Sequence, residues 1–143
     1  MSELSALFTR ASKLWRNASD EAMRQHGVRV GQNLLLQVLW NTDGLTPGEL
    51  AEQVQVSTPT VVKSVNRMEA AGLLTKRRDT VDRRLVRIYL TERAKNVQGA
   101  VQSARAELEQ RVTATLTEDE RANLVLALRK INAQLDTITV PER

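Results

Sequence analysis

The sequence has no cysteine and a single histidine, His26. The first absence excludes disulfides, thiolate metal ligands and thiol-based redox sensing. The second leaves almost nothing from which to build a zinc site. No apolar run approaches the roughly 18 residues that a membrane helix needs, so no membrane association is expected. The opening residues MSELSALFTR lack the basic and then apolar segments of a secretory signal, and the expected compartment is the cytoplasm. Catalytic signatures are missing as well. There is no nucleophile elbow, no glycine-rich phosphate loop and no H-E-x-x-H, and the acids are scattered without a pocket signal. The expectation is a protein without enzymatic activity, cofactor or metal.

What is present is ordinary in bulk and uneven in detail. At 143 residues, 41% apolar and 27% charged, the chain has enough material for one domain with a real core. The formal net charge of +4 is not spread evenly. Residues 63–87 hold eight basic groups (Lys63, Arg67, Lys76, Arg77, Arg78, Arg83, Arg84 and Arg87) against the acids Glu69, Asp79 and Asp82, whereas the remainder holds 13 basic groups and 14 acids. A basic patch on a near-neutral body fits a polyanion partner. Charge alone does not separate it from a solvated surface.

Periodicity and punctuation supply the elements. Residues 2–26 carry Leu4, Leu7, Phe8, Ala11, Leu14, Trp15 and Ala18 at helical spacing. Glycines 27 and 31 interrupt before a second helix at 32–42, apolar enough to predict burial nearly all round. Thr46, Pro47 and Glu49 form a capping box that opens a short third helix over 46–54. Ser57 or Thr58 with Pro59 opens a fourth, which Gly72 ends at a position suited to a left-handed backbone. Residues 73–78 and 85–91 alternate as two strands around a charged tip at 79–84, with Val86, Ile88 and Leu90 on one face. Two long helices follow, 92–115 with the stripe Val97, Val101, Ala104, Leu108 and Val112, and 118–138 with Leu124, Leu128, Ile131, Leu135 and Ile138, the latter opened by a Thr117…Glu120 capping box. The fold class is mainly α with a small β-hairpin.

A short helix, a tight turn, a second helix opening STPTVVKSV and then a hairpin make a helix-turn-helix with a wing. Val61, Val65 and Met68 fall on one face of the fourth helix; Thr60, Lys63, Ser64 and Arg67 fall on another. Hydroxyls near a helix start can reach base edges or phosphates, and the cations can neutralise backbone charge. The same hydroxyls could also serve only as caps. At the tip, a guanidinium on a narrow hairpin can enter a minor groove, about 6 Å wide. Asp82, two residues before Arg84, has the spacing to hold it, unless the pair is only a weak surface ion pair.

The stretch ELAEQVQVSTPTVVKSVNRMEAAGLLTKRRDTVDRRLVRIYLTE resembles the DNA-binding lobe of the multiple-antibiotic-resistance regulator (MarR) family. The features that carry the resemblance are its first helix, the GLL step into the wing, the D-R-R tip and the L-T-E that opens the next helix. The resemblance extends through the flanking helices and implies a single domain over 1–143. Residues 1–30 and 92–143 would form the dimerisation helices and 32–91 the winged lobe, with the helix-turn-helix at about 46–72 and the wing at about 73–91. It implies a homodimer on a pseudo-palindromic double-stranded DNA operator, and in many members a repressor released by a small aromatic, phenolic or lipophilic ligand. Asp82 and Arg84 match the family's wing acid and minor-groove arginine. Thr58, Thr60, Lys63, Ser64 and Arg67 fall on its recognition helix, and Lys76, Arg77 and Arg83 complete the candidate DNA contacts, Arg83 on a phosphate. Trp15, His26, Asn33 and Trp40 are the candidates for lining a ligand crevice, although aromatics at helical spacing also serve as plain core. Val81 departs from the family's usual basic or polar residue, and Ala94 from a frequent glycine. The missing cysteine excludes the family's peroxide-sensing branch. A constitutive or architectural DNA-binding protein without an effector is the alternative.

Overall fold

A computed structural model describes residues 2–138; the final residues 139–143, which the sequence assigns to the dimerisation region, lie outside the described residues. The elements in order are α1 (Glu3–Arg24), α2 (Val30–Asn41), α3 (Pro47–Val54), α4 (Thr58–Ala70), β1 (Leu74–Arg78), β2 (Val86–Leu90), α5 (Glu92–Asn96), α6 (Gln98–Val112) and α7 (Glu118–Ile138). The fold is mainly helical with one antiparallel hairpin, Leu74 pairing with Leu90 and Arg78 with Val86. Leu45, in the turn before α3, adds a single bridge to Ile88.

Local chemistry explains most boundaries. Thr46 accepts the Glu49 amide while Glu49 Oε1 accepts the Thr46 amide, which satisfies two helix-start donors at once. Thr117 and Glu120 do the same at the start of α7. Helix α4 ends in a Schellman motif: Gly72 has φ +78°, its amide donates to Glu69 O, and the Leu73 amide donates to Met68 O. At the α1–α2 corner, Asp20 takes two bonds from the Arg29 guanidinium and one from the Val30 amide. The Arg29 contact, above all, lowers the Asp20 carboxyl to about 2.

The core sits inside the lobe. Leu36, Leu50, Val61, Val65, Met68, Leu73 and Ile88 are fully buried, with Met23 and Val28 closing the α1 side and Ala94 and Val101 the α6 side. Each fully buried aliphatic side chain contributes about 1.5–3 kcal/mol, so the wing root, through Leu74, Ile88 and Leu90, is part of the core itself.

Two expectations from the sequence are corrected. Helix α2 is not buried all round: Leu35, Leu36 and Leu39 face the core, while Leu34 is 58% exposed. The single helix expected over 92–115 is two, α5 and α6, divided at Val97. Close to that division Trp40 Nε1, 54 positions from Ala94 in the chain, donates to the Ala94 carbonyl at 2.9 Å. Trp40→Phe deletes that donor and is expected to destabilise the fold by about 1–2 kcal/mol in a denaturant melt.

Helix α7 differs from all the others. None of its residues is buried. Leu124, Val125, Leu126, Leu128, Leu135 and Ile138 are exposed, as are Leu4, Leu7, Phe8, Leu14 and Trp15 on α1. Its one ion pair to another element, among the described residues, is Arg121 Nη2 to Glu109 Oε1 at 3.8 Å.

Candidate nucleic-acid interface

Helix α4 is amphipathic in the way its sequence predicts. Val61, Val65 and Met68 are buried, while Thr58, Thr60, Lys63 and Arg67 are exposed and Ser64 is half-buried at the margin. Ser57 is the N-cap, accepting the Thr60 amide, and its hydroxyl lies 2.7 Å from the Thr60 hydroxyl. Thr60 therefore serves the cap as well as the open face. No ion pair holds Lys63 or Arg67 among the described residues, so both cations stand toward solvent.

The wing tip is built by hydrogen bonds. The Asp79 amide donates to Leu85 O and the Leu85 amide to Asp82 O, which closes the loop. Arg78 Nη1 donates to the Arg83 carbonyl at 2.8 Å and braces the loop from beneath. Asp82 Oδ1 accepts both the Arg84 amide and Arg84 Nε, and Oδ2 accepts Arg84 Nη2 at 3.1 Å. That is a bidentate clamp on a side chain 89% exposed, so it fixes direction more than it adds stability. Arg83 is exposed beside it with no ion pair of its own among the described residues. Val81 stands at the apex, 92% exposed.

The hydrogen bonds from Arg84 hold the Asp82 carboxyl below its ordinary value of 3.8, and the hydrogen bond to Asp82 raises Arg84 in turn. A carboxylate lowered in the folded state keeps its ion pair above the ordinary value and loses it only as pH falls through the lowered one. In an NMR titration, Asp82 of the Arg84→Ala protein is therefore expected to protonate at higher pH than Asp82 of the parent.

The wing cations Lys76 and Arg77 are exposed but engaged on the protein's own surface. Lys76 Nζ donates to Asn66 Oδ1 at 2.8 Å and lies 3.4 Å from Glu69, tying β1 to α4. Arg77 stacks over Tyr89, 4.8 Å from the ring centroid. Sequence reasoning gave Arg78, Asp79 and Arg87 no individual part, yet they form the loop's frame. The signal was present in the D-x-x-D spacing, since Asp79 Oδ2 accepts the Asp82 amide at 2.8 Å as a short acid in a turn tends to do.

The four candidates for a ligand crevice are not brought together. Trp15 borders a groove of about 390 Å³ with Gln102, Arg105 and Glu109. His26 borders another of about 640 Å³ between α1 and α6, with Glu21, Leu108 and Arg111. Asn33 is buried and accepts from Gln37. Trp40 is committed to Ala94. Among the described residues no cluster of three or more His, Cys, Asp or Glu side chains could hold a metal.

A short positioning helix, a capped second helix with an open cationic face and a clamped hairpin arginine define a winged helix-turn-helix, flanked here by long helices. Residues 30–86 match the MarR family model. It is 30% identical over 108 residues (76% of this chain) to a protein of Thauera aromatica named for regulation of the hcr operon, and 29% identical over 89 residues (62% of this chain) to the HTH-type transcriptional regulator TtmR of Methylorubrum extorquens. The chain spans 65% and 46% of those two relatives' lengths. The crystal structure of the S. aureus MepR–DNA complex superposes with a TM-score of 0.82 at 26% identity, covering 94% of this chain and 99% of that one.

Proposed function

We propose that the chain is a dimeric, sequence-specific DNA-binding regulator of transcription, working in the cytoplasm as a repressor. The observation that carries this reading is the joint presentation of two exposed cationic features, the α4 face with Lys63 and Arg67 and the Asp82-clamped Arg84 at the wing tip. A helix of that shape enters a major groove, and the hairpin arginine reaches the adjacent minor groove. The MepR relative was solved on DNA, and the Thauera and Methylorubrum relatives carry names of transcriptional regulators, which supports the same partner for this chain. Among the described residues no helix is long and apolar enough to cross a membrane.

The dimer reading rests on α1 and α7, whose exposed leucines a second copy would cover. Release by a small aromatic or lipophilic ligand is the mechanism the family resemblance favours: a ligand that prefers a lobe spacing mismatched to the operator shifts the population away from DNA. The groove of about 640 Å³ beside His26, between α1 and α6, is one place for it. A constitutive DNA-binding protein is the second reading, favoured by Asn33 and Trp40 being satisfied within the protein itself.

Binding to the intergenic DNA beside its own gene, titrated against salt, tests the proposal. Lys63→Ala is expected to reduce the slope of log K against log salt by about one, as loss of a single phosphate contact should. An unchanged slope removes Lys63 from the interface. Full binding in the presence of a broad set of aromatic acids and lipophilic compounds would favour the constitutive reading.

A further inference from the structure

Arg87 belongs to the basic segment, yet its charge is spent inside the protein. From β2 its Nε donates to Asp79 Oδ1 at 2.9 Å, and its Nη1 donates to the Gly44 carbonyl at 2.9 Å and lies 3.7 Å from Glu49 Oε1. Gly44 is in the turn before α3, and Glu49 belongs to the capping box that starts α3. Asp79 passes the connection on: its second oxygen accepts the Asp82 amide, and the Asp82 carboxylate grips Arg84. A continuous chain of polar contacts thus runs from the start of the helix-turn-helix to the wing's arginine. Among the described residues, Arg87 is the only side chain whose polar contacts join the 79–85 loop to α3 and the turn before it.

We propose that Arg87 and Asp79 are positioning residues that set the attitude of the wing tip relative to α4, so that Arg84 meets one groove as α4 meets its neighbour. An isolated two-stranded hairpin is marginally stable and would swing. Ordering it at the moment of binding would cost affinity, and a tip fixed beforehand avoids that cost. The inference rests on the DNA-binding reading proposed above, with neither residue touching DNA.

Charge alone predicts the opposite sign, which makes the idea testable. Asp79→Asn keeps the side chain's size and an oxygen for the Asp82 amide, removes the partner of Arg87 and leaves the protein more positive by one. A purely electrostatic role predicts tighter binding to DNA. Positioning predicts weaker binding, by about 3- to 10-fold, in fluorescence anisotropy on an operator duplex. Arg87→Lys keeps the charge but reaches only one of the two acceptors, and is expected to weaken binding in the same direction. The loss from Asp79→Asn should vanish in an Arg84→Ala background and persist in full in a Lys63→Ala background, while thermal melts check that each variant is folded. Tighter binding by Asp79→Asn, or a loss undiminished by Arg84→Ala, overturns the positioning role. Equal binding by the parent and Arg84→Ala proteins overturns the wing reading beneath it, and the two failures are distinct.

Discussion

A chain carrying Leu7→Asp together with Leu135→Asp is expected to sediment as a monomer and to lose operator binding. Both leucines are largely open to water in the single chain, Leu7 at 57% and Leu135 at 46% exposure. In a lone protomer the replacements therefore cost little, and the lobe, whose core lies elsewhere, keeps its fold. In a dimer that buries α1 and α7, each copy would take two carboxylates out of water without partners, at a cost of several kcal/mol. Association would weaken by about 1,000-fold or more. Two half-site contacts would become independent, and affinity for the full operator would fall with them. Analytical ultracentrifugation beside an anisotropy titration checks both outcomes. A variant that remains dimeric would show that the exposed helices are covered in some other way.

Arg84→Ala is the second large effect, expected to cost about 1–3 kcal/mol of operator binding, roughly 5- to 150-fold. The reasoning is geometric. Asp82 holds the guanidinium by two oxygens, so little side-chain freedom remains to be lost on binding. Val81 at the apex supplies no polar contact, while Lys76 and Arg77 are engaged on the protein's own surface. Arg84 is therefore expected to carry an unusually large share of the wing's affinity. Asp82→Asn should lose less than Arg84→Ala, because it frees the arginine without removing it. A gel shift across the three proteins gives the order.

Much of this frame was legible because it is written in short-range chemistry. Thr46 with Glu49, Thr117 with Glu120, Gly72 after α4 and Asp82 two residues before Arg84 all act across two to four positions, where residue type and spacing decide the geometry. What escaped depends on residues far apart in the chain. The Trp40 bond to Ala94, near the break at Val97, spans 54 positions. The Arg87 link depends on Gly44, 43 positions away, and on Glu49. The engagement of Lys76 depends on Asn66 and Glu69 across the α4–β1 junction. Leu34 looked buried because helix periodicity cannot say which side of an apolar helix lacks a neighbour. Trp15, His26, Asn33 and Trp40 were grouped by residue type on two consecutive helices, and the α1–α2 packing sends them to different places.

The most direct test of the central claim is selection of bound sequences from a randomised duplex pool with the parent protein, repeated with Arg84→Ala. The account predicts an enriched inverted repeat with half-site centres about one helical turn, ~10 bp, apart. It predicts that Arg84→Ala loses selectivity mainly at the positions flanking each half-site, where the wing meets the minor groove. No enrichment, or a single unpaired half-site with flanks indifferent to Arg84, would contradict it.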